Sequence, residues 1–303
     1  MKWIVGLDLR KDCEGPVRFA SWLARHLTGD SFHGLHVIEQ ESLQFIVALQ
    51  GMPGLEGSMP LDHNGLVQAA QARVDALLAE TGATALAGAR ADVSATAELR
   101  LAAAVDATPG SGLIIGRRAK AGEDRFVRLG RVARHLLRSL PGPIIATPPD
   151  LALEAIGDGP IILGTDTRED AVAAGHFAAG LAAQLKRPLL AARIAPMPEH
   201  WAHEFVATSM LPAIRAQLEG DSRQRLGAWL REHGLAEVAT HVALGDVAAC
   251  LGELAEQQRA PLIVVGSRKL GPLTRLFVAS VASELAATAR CAVAVVPPDY
   301  HPA

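Results

Sequence analysis

The sequence predicts an α/β fold of two tandem, doubly wound sandwich domains, each built on a five-stranded parallel sheet. Two observations lead to this prediction. Short runs rich in Val and Ile alternate with longer helical patterns along all 303 residues, which is typical of a parallel sheet covered by helices on both faces. The same series of landmarks also occurs twice, in the same order.

The repeat is visible in three pairs of segments. Asp8 and Asp166 lie 158 residues apart, Gly116 and Gly266 lie 150 apart, and Asp150 and Asp299 lie 149 apart. Each landmark follows a short apolar run. The paired segments are Ile4–Arg10 with Ile162–Arg168, Gly112–Arg118 with Pro261–Arg268, and Pro143–Asp150 with Ala292–Asp299. We therefore predict one domain over residues 1–150 and a second over residues 157–303, joined by a segment that ends in the turn-like Gly157–Pro160.

The elements of the first copy follow from apolar runs and helical spacing. The predicted strands lie at residues 2–7, 34–38 and 90–94, and two further strands end at Gly116 and Thr147. The predicted helices cover residues 16–27, 65–81, 98–107 and 130–140. Residues 42–62 contain two Gly-Pro-rich clusters, which predict a loop or a short helix over the strand ends.

The second copy repeats this order. Its first helix is predicted over residues 168–184, its second strand over 189–194, a long middle segment over 198–233 and its third strand over 238–243. Asp246 then opens a helix that runs to Gln257, and its side chain is a suitable N-cap. The fourth strand ends at Gly266, a helix covers residues 280–290, and the fifth strand stops at Pro297.

Composition excludes several classes of function. A formal net charge of −3 lacks the basic footprint of a nucleic-acid-binding protein. No apolar stretch approaches the ~18 residues that a membrane span requires, and the first apolar run is too short for a signal peptide. Cys13, Cys250 and Cys291 lie far apart without a CxxC motif, which favours reduced thiols and a cytoplasmic location.

The stretch from Leu262 to Pro298 carries the strongest functional pattern. It consists of a strand, a basic glycine-containing turn, a helix and a second strand. Where a parallel strand feeds a helix N-terminus, free backbone N–H groups and the helix dipole favour a bound anion. The pattern therefore predicts an anion site after Gly266.

This stretch resembles the signature of the universal stress protein family. That signature consists of a glycine, two residues, a second glycine, nine residues, and then a glycine followed by Ser or Thr. Gly266 and Ser280 match it, whereas Lys269 and Ala279 stand at the other two glycine positions. The resemblance implies a nucleotide-alpha hydrolase-like fold and a stress-response regulatory or protective protein. It also implies binding of ATP, with Mg, or of a related adenine nucleotide.

The resemblance places nucleotide binding in the second copy. In the family, an Asp at the position of Asp166 contacts the ribose or a metal beside the phosphates. The nucleotide-binding residues that follow from the resemblance are Thr165, Asp166, Val265, Gly266, Arg268, Lys269, Ala279, Ser280 and Val281.

Several of these residues have a structural interpretation beside the functional one. Asp166 is equally suited to closing a turn, and Ser280 to capping the following helix, a role compatible with donating to a phosphate. The ammonium group of Lys269 either occupies the phosphate space or contacts a phosphate from the rim. A methyl group at Ala279 matters where the position requires a positive φ or a very close phosphate.

The first copy departs further from the signature. Gly130 comes one residue later than the family spacing, and Arg131 stands where the hydroxyl is expected. We predict a degenerate site whose own arginines fill it, and binding of a different anion is the alternative. The residues of this degenerate or anion site are Asp8, Gly116, Arg117, Arg118, Gly130 and Arg131.

No pattern in the sequence predicts catalytic residues or a metal site. Gly266 and Gly271 have the spacing of a P-loop, but Pro272 and Leu273 replace its Lys and Ser/Thr. A nucleotide-responsive regulator, a scaffold without nucleotide and a slow ATPase therefore remain alternatives. The repeat further predicts that the two copies pair as an intramolecular pseudo-dimer, with or without a homodimer, and no protein partner can be named.

Overall fold

The structure is a computed structural model that describes residues 1–50, 63–86, 88–117, 129–196, 208–267 and 281–301. The chain divides into two compact units, Met1–Leu153 and Glu154–Pro302. Arg118, Arg268, Lys269, Ala279 and Ser280 lie outside the described residues. Among the described residues, Cys13, Cys250 and Cys291 form no disulfide bond.

The first unit is a parallel sheet with helices, as its sequence predicts. Its strands are β1 (Lys2–Gly6), β2 (Ser31–Glu39), β3 (Arg90–Ser94), β4 (Gly112–Gly116) and β5 (Ile144–Thr147). Its helices are α1 (Gly15–His26), α2 (Gln40–Gln50), α3 (His63–Thr81), α4 (Ala97–Asp106) and α5 (Arg131–Ser139). Within the described residues the strand order is β3-β2-β1-β4-β5, and each neighbouring pair is parallel.

The second unit has the same architecture. Its strands are β6 (Ile161–Gly164), β7 (Leu189–Ala195), β8 (Ala239–Leu244), β9 (Leu262–Gly266) and β10 (Ala292–Val296). Its helices are α6 (Val172–Gln184), α7 (Leu211–Glu232), α8 (Val247–Gln257) and α9 (Val281–Thr288). The strand order is β8-β7-β6-β9-β10, again parallel throughout the described part of the unit.

The central strands form the core of each unit. In β4, β5, β6, β9 and β10 the Ile, Val and Leu side chains are buried. Strands that are apolar on both faces remove most hydrophobic area per residue from water, and only helices on both sides can cover them. The doubly wound fold therefore follows directly from the Val- and Ile-rich runs.

The strand order fixes where a ligand can bind. In both units the first strand lies between the second and the fourth, so the connections from β1 and β4, and from β6 and β9, diverge to opposite sides. The carboxyl ends of such strands bound a crevice at the topological switch point. Here the crevice lies above β1 and β4 in the first unit and above β6 and β9 in the second.

Some predicted bounds need correction. β2 begins at Ser31 rather than Gly34 because Ser31–His33 extend the pairing with Lys2–Ile4 of β1. Part of the segment predicted as a loop or short helix is helix α2. The first helix of the second unit begins as a 3₁₀ turn, Glu169–Ala171, before α6. Among the described residues no helix is both long enough and apolar enough to cross a membrane.

Candidate functional site

The structure brings Thr165, Asp166 and Gly266 to one edge of the second sheet. Gly164, the last residue of β6, pairs with Val265 of β9. Thr165 therefore lies beside Gly266 just past the strand ends, and its N–H donates to the Ala192 carbonyl of β7 at 3.0 Å. Thr165 and Gly266, which are 101 positions apart in the sequence, thus meet at the switch point.

Asp166 points its carboxylate into the turn that follows β6. Its Oδ1 accepts a hydrogen bond from the Arg168 N–H at 3.2 Å, and its Oδ2 lies 3.6 Å from Arg168 Nε. The Asp166 side chain is 40% exposed. The carboxylate therefore closes a turn, as the structural interpretation expects, and it also remains accessible at the crevice.

Thr165 and Thr167 hold this turn in place. Thr165 is buried, and its Oγ1 accepts from the Thr167 N–H at 2.9 Å. Thr167 has a left-handed backbone conformation with φ of 63°, and its hydroxyl donates to the Asp166 carbonyl at 2.6 Å. A non-glycine residue in this conformation is uncommon and is here fixed by two hydrogen bonds. The Thr165 hydroxyl therefore orients Asp166 from within the turn.

Gly266 has a packing reason to be glycine. A Cβ at this position would lie 3.1 Å from the Asp170 carbonyl oxygen and 3.3 Å from Ala171 Cα. The 3₁₀ turn before α6 can approach the end of β9 because no side chain stands between them. Gly116 of the first unit is similar, since a Cβ there would lie 3.1 Å from Pro16 Cγ.

Two valines of the predicted site differ in position. Val265 is a buried residue of β9, 5% exposed, and pairs with Val295 of β10. Val281 is the first residue of α9 and is 38% exposed. Val265 therefore supports the sheet beneath the crevice, whereas Val281 presents an apolar surface at the start of a helix.

Arg193 of β7 is a site residue that the sequence did not single out. Its Nη1 donates to the Asp166 carbonyl at 2.5 Å and to Thr167 Oγ1 at 3.0 Å, and its Nε is buried without a hydrogen-bond partner in the described residues. Burial lowers the pKa of Arg193, and the neighbouring Arg225 guanidinium adds to this effect. The strand register could have identified Arg193 as a site residue. Arg193 occupies the position in β7 that His36 occupies in β2, one residue past the partner of the last glycine of the first strand.

In the first unit, Arg10 engages the corresponding aspartate much more closely. Arg10 Nε donates to Asp8 Oδ1 at 2.8 Å and to Oδ2 at 2.9 Å, Arg10 Nη2 donates to Oδ2, and the Arg10 N–H donates to Oδ1 at 3.1 Å. Burial raises the pKa of Asp8, but the hydrogen bonds from Arg10 outweigh it, so the pKa lies below its ordinary value. A carboxylate with both oxygens occupied has little capacity left for a ribose or a metal.

Arg131 is likewise engaged within the protein. It follows the N-cap Gly130 at the start of α5. Its Nη1 donates to Glu98 Oε1 at 2.5 Å and its Nη2 donates to Glu39 Oε1, which also accepts from the Ala97 N–H at 3.0 Å. Burial raises the pKa of Glu39, but the bonds from Ala97 and Arg131 bring it below its ordinary value. At the position where the signature has a hydroxyl, the first unit thus has an ion-pair cluster.

The remaining space beside Asp8 is small. A cavity of about 120 Å³ lies between the loop after β1 and helix α3, and its polar lining is of mixed charge. Its charged lining residues are Asp8, Arg10, Lys11, Glu14, Arg73 and Glu80. Pockets for ligands of drug or cofactor size occupy roughly 300–1,000 Å³.

Arg117, which follows the last residue of β4, is buried, and its backbone N–H donates to the Thr147 carbonyl at 3.1 Å.

Comparisons with known proteins agree with the fold. The chain resembles the structure of a functionally unknown protein from Pseudomonas aeruginosa PAO1, with 16% identity, a TM-score of 0.62 and coverage of 99% of this chain and 93% of that one. It also resembles a universal stress protein from Archaeoglobus fulgidus DSM 4304, with 14% identity, a TM-score of 0.58 and coverage of 98% of both chains. No curated protein sequence matches significantly.

The family itself is identified from the second unit. The model of the universal stress protein family matches residues 159–297, which run from just before β6 to just after β10 and include Asp166, Gly266 and Ser280. The resemblance carried by Gly266 and Ser280 is thereby confirmed for residues 159–297, which match the universal stress protein family.

Proposed function

We propose that this protein is a stress-response regulator that binds an adenine nucleotide, ATP with Mg or a relative, at the crevice of its second unit. The observation that supports this proposal most directly is the placement of Asp166 beside Gly266 at the switch point of β6 and β9. That crevice is where doubly wound sheets bind ligands. Asp166 would hold the ribose or the metal, and the backbone after Gly266 would receive the phosphates.

The chain's own residues shape this site. Thr165 and Thr167 fix the turn, and Arg193 holds the Asp166 carbonyl, so the Asp166 carboxylate has a defined direction. Preorganisation of this kind reduces the entropy that binding must overcome. Nucleotide binding would act by shifting the populations of conformations or by docking a partner. The cytoplasmic location and the pseudo-dimer pairing of the two copies stay predictions.

A scaffold that acts through protein contacts is the second candidate. The first unit favours it, because Arg10 occupies both oxygens of Asp8 and Arg131 is paired with two glutamates. We therefore assign the first unit a structural role and the second unit the ligand. Within the described part of the crevice, no arranged nucleophile or base supports a slow ATPase.

Calorimetric titration of MgATP into the full chain tests the proposal. We expect one nucleotide per chain, and Asp166→Asn should weaken binding roughly 10- to 100-fold because a charged hydrogen-bond acceptor is worth about 1.5–3 kcal/mol. Asp8→Asn is the matched control in the first unit and should leave affinity unchanged. If MgATP gives no heat of binding with the wild-type chain and the chain releases no nucleotide on denaturation, a scaffold that acts through protein contacts becomes the favoured function.

A second titration resolves the roles of Lys269 and Ala279. If Lys269 blocks the phosphates, Lys269→Gly should tighten MgATP binding. If its ammonium contacts them, the same change should weaken binding, and the loss should shrink at high salt. If the double variant Lys269→Gly/Ala279→Gly and the wild type both fail to bind, the proposed phosphate site is wrong.

A further inference from the structure

Three metal-ligating side chains meet on the helical side of the second unit. Glu169 belongs to the 3₁₀ turn before α6, Glu232 is the last residue of α7, and His233 caps that helix. One ligand atom from each residue lies within 4.8 Å of the other two. No sequence pattern predicts this cluster, because Glu169 and Glu232 are 63 positions apart. None of the three belongs to the predicted nucleotide site.

The imidazole of His233 is held in position and incompletely satisfied. The His233 ring packs edge-on against Trp229 with centroids 5.0 Å apart. The backbone N–H of His233 donates to the Trp229 carbonyl at 3.1 Å, and the backbone carbonyl of His233 lies 3.2 Å from His176 Nε2. The Nε2 atom of His233 is shielded from solvent and has no hydrogen-bond partner in the part of the chain that the structure describes. A shielded polar atom without a partner is costly, so this imidazole has unused capacity to bind a ligand.

The charges around the cluster also favour a cation. Glu169 and Glu232 contribute two exposed carboxylates. Glu232 is the last residue of a 22-residue helix, where the macrodipole and the last carbonyl groups of the helix attract positive charge. A divalent cation would offset the repulsion between the two glutamates.

The geometry is compatible with coordination. Bonds of about 2.0–2.2 Å to Zn²⁺ place tetrahedral ligand atoms roughly 3.3 Å apart. Exposed glutamate side chains can cover the remaining distance by rotamer changes, while the packed imidazole stays fixed. One nitrogen and two carboxylate ligands, with water in the open position, suit Zn²⁺ and its first-row neighbours, whereas Mg²⁺ and Ca²⁺ prefer oxygen ligands alone.

We propose that Glu169, Glu232 and His233 form a binding site for a first-row transition-metal dication of the Zn²⁺ type. The site ties the turn that follows the Asp166 loop to the end of α7. It is independent of nucleotide binding, so its failure would leave the proposed function untouched.

The test is calorimetric titration of ZnCl₂ into the full chain after removal of any affinity tag. We expect one site that His233→Asn, Glu169→Gln and Glu232→Gln each weaken at least tenfold. The matched controls are His301→Asn and Glu237→Gln, which alter exposed residues of the same types elsewhere in the unit and should change nothing. MgCl₂ and CaCl₂ should give no comparable binding.

Two results would overturn the proposal. One is the absence of saturable Zn²⁺ binding by the wild-type chain. The other is binding that the three variants leave unchanged, because the ion would then sit on other histidines or on the thiols. Glu169 and Glu232 are exposed, so their variants remain informative even if His233→Asn impairs folding.

Discussion

At the residue scale, the same Asp-x-Arg sequence has two different states in this chain. Arg10 binds both oxygens of Asp8, whereas Arg168 Nε lies 3.6 Å from a single oxygen of Asp166. The equivalent residues of the second strands, His36 and Arg193, differ as well. His36 Nδ1 lies 2.9 Å from the Leu7 carbonyl, whereas Arg193 donates to the Asp166 carbonyl. Local side-chain geometry, and not the motif, therefore distinguishes the two crevices.

Gly266→Ala should destabilise the protein. The new Cβ would lie 3.1 Å from the Asp170 carbonyl oxygen and 3.3 Å from Ala171 Cα. Because both are backbone atoms, which cannot move aside as easily as the end of a side chain, we expect a loss of about 1–3 kcal/mol. Urea denaturation measures the change. Gly252→Ala is the control, because a Cβ there meets nothing within 4 Å inside α8 and should stabilise the helix by roughly 0.5–1 kcal/mol. Equal effects of the two changes would refute the packing argument.

Arg131→Met should destabilise the first unit in a pH-dependent way. The change leaves the buried carboxylate of Glu98 without its cation. We expect a loss of about 1–2 kcal/mol at pH 7, less than for a fully buried pair, because the Arg131 side chain is 54% exposed. Denaturation midpoints measured from pH 3 to pH 7 test this.

The sign of the pH effect follows from Glu39. Its pKa is lower in the folded protein than in the unfolded chain, so ionised Glu39 adds stability above its unfolded pKa of about 4.3. That contribution is lost as the pH falls through the folded pKa. The difference between wild type and Arg131→Met should therefore shrink toward pH 3. Arg134→Met, at another exposed position of α5, should show neither the loss nor the pH dependence.

At the element scale, the sequence predicted strands better than it predicted loops. The glycines that end β4 and β9 were located correctly, because these buried strands leave compact apolar runs. The strand at Arg90–Ser94 was also located, although it is neither apolar throughout nor buried. The start of β2 was missed because Ser31 and His33 are polar, although their backbones pair with β1. Helix α2 was not separated from a loop, although much of its sequence is apolar, and Phe45 is 64% exposed.

The N-cap of α8 was predicted from sequence and can be tested alone. Asp246 Oδ1 accepts from the Ala249 N–H at 2.7 Å. Asp246→Ala should cost about 0.5–2 kcal/mol in the free energy of unfolding, whereas Asp246→Asn, which keeps an acceptor, should cost only a few tenths. Thermal and urea unfolding of the three proteins measure the difference. An Asn variant as unstable as the Ala variant would mean that the charge matters and the hydrogen bond does not.

At the scale of the whole molecule, sequence located the two crevices but not their contents. The position of Asp166 relative to Gly266 was predictable, because the topology of a doubly wound sheet dictates it. The pairing of Arg131 with Glu39 and Glu98 was not, since the three residues come from separate elements and form no periodic pattern. The cluster of Glu169, Glu232 and His233 was hidden for the same reason.

The two crevices differ, because Arg10 occupies both oxygens of Asp8 whereas Arg168 contacts Asp166 only loosely. This difference predicts where a nucleotide changes the dynamics of the chain. Hydrogen exchange of the full chain, measured by mass spectrometry with and without saturating MgATP, should show protection in peptides that cover residues 162–170 and 262–267. Ligand binding to the native state suppresses local opening by its own free energy, about 2.7 kcal/mol at a concentration 100 times the Kd. Peptides that cover residues 4–14 and 112–117 should show no change, because Arg10 already occupies Asp8.

The variants make this prediction discriminating. Asp166→Asn should remove the protection in the second unit at the same MgATP concentration, while Asp8→Asn should leave it intact. Protection of both units by MgATP would show that the Asp8–Arg10 pair opens for a ligand and that the first crevice is functional. Protection of the first unit alone would reverse the assignment, and the looser contact of Asp166 with Arg168 would then have no bearing on nucleotide binding.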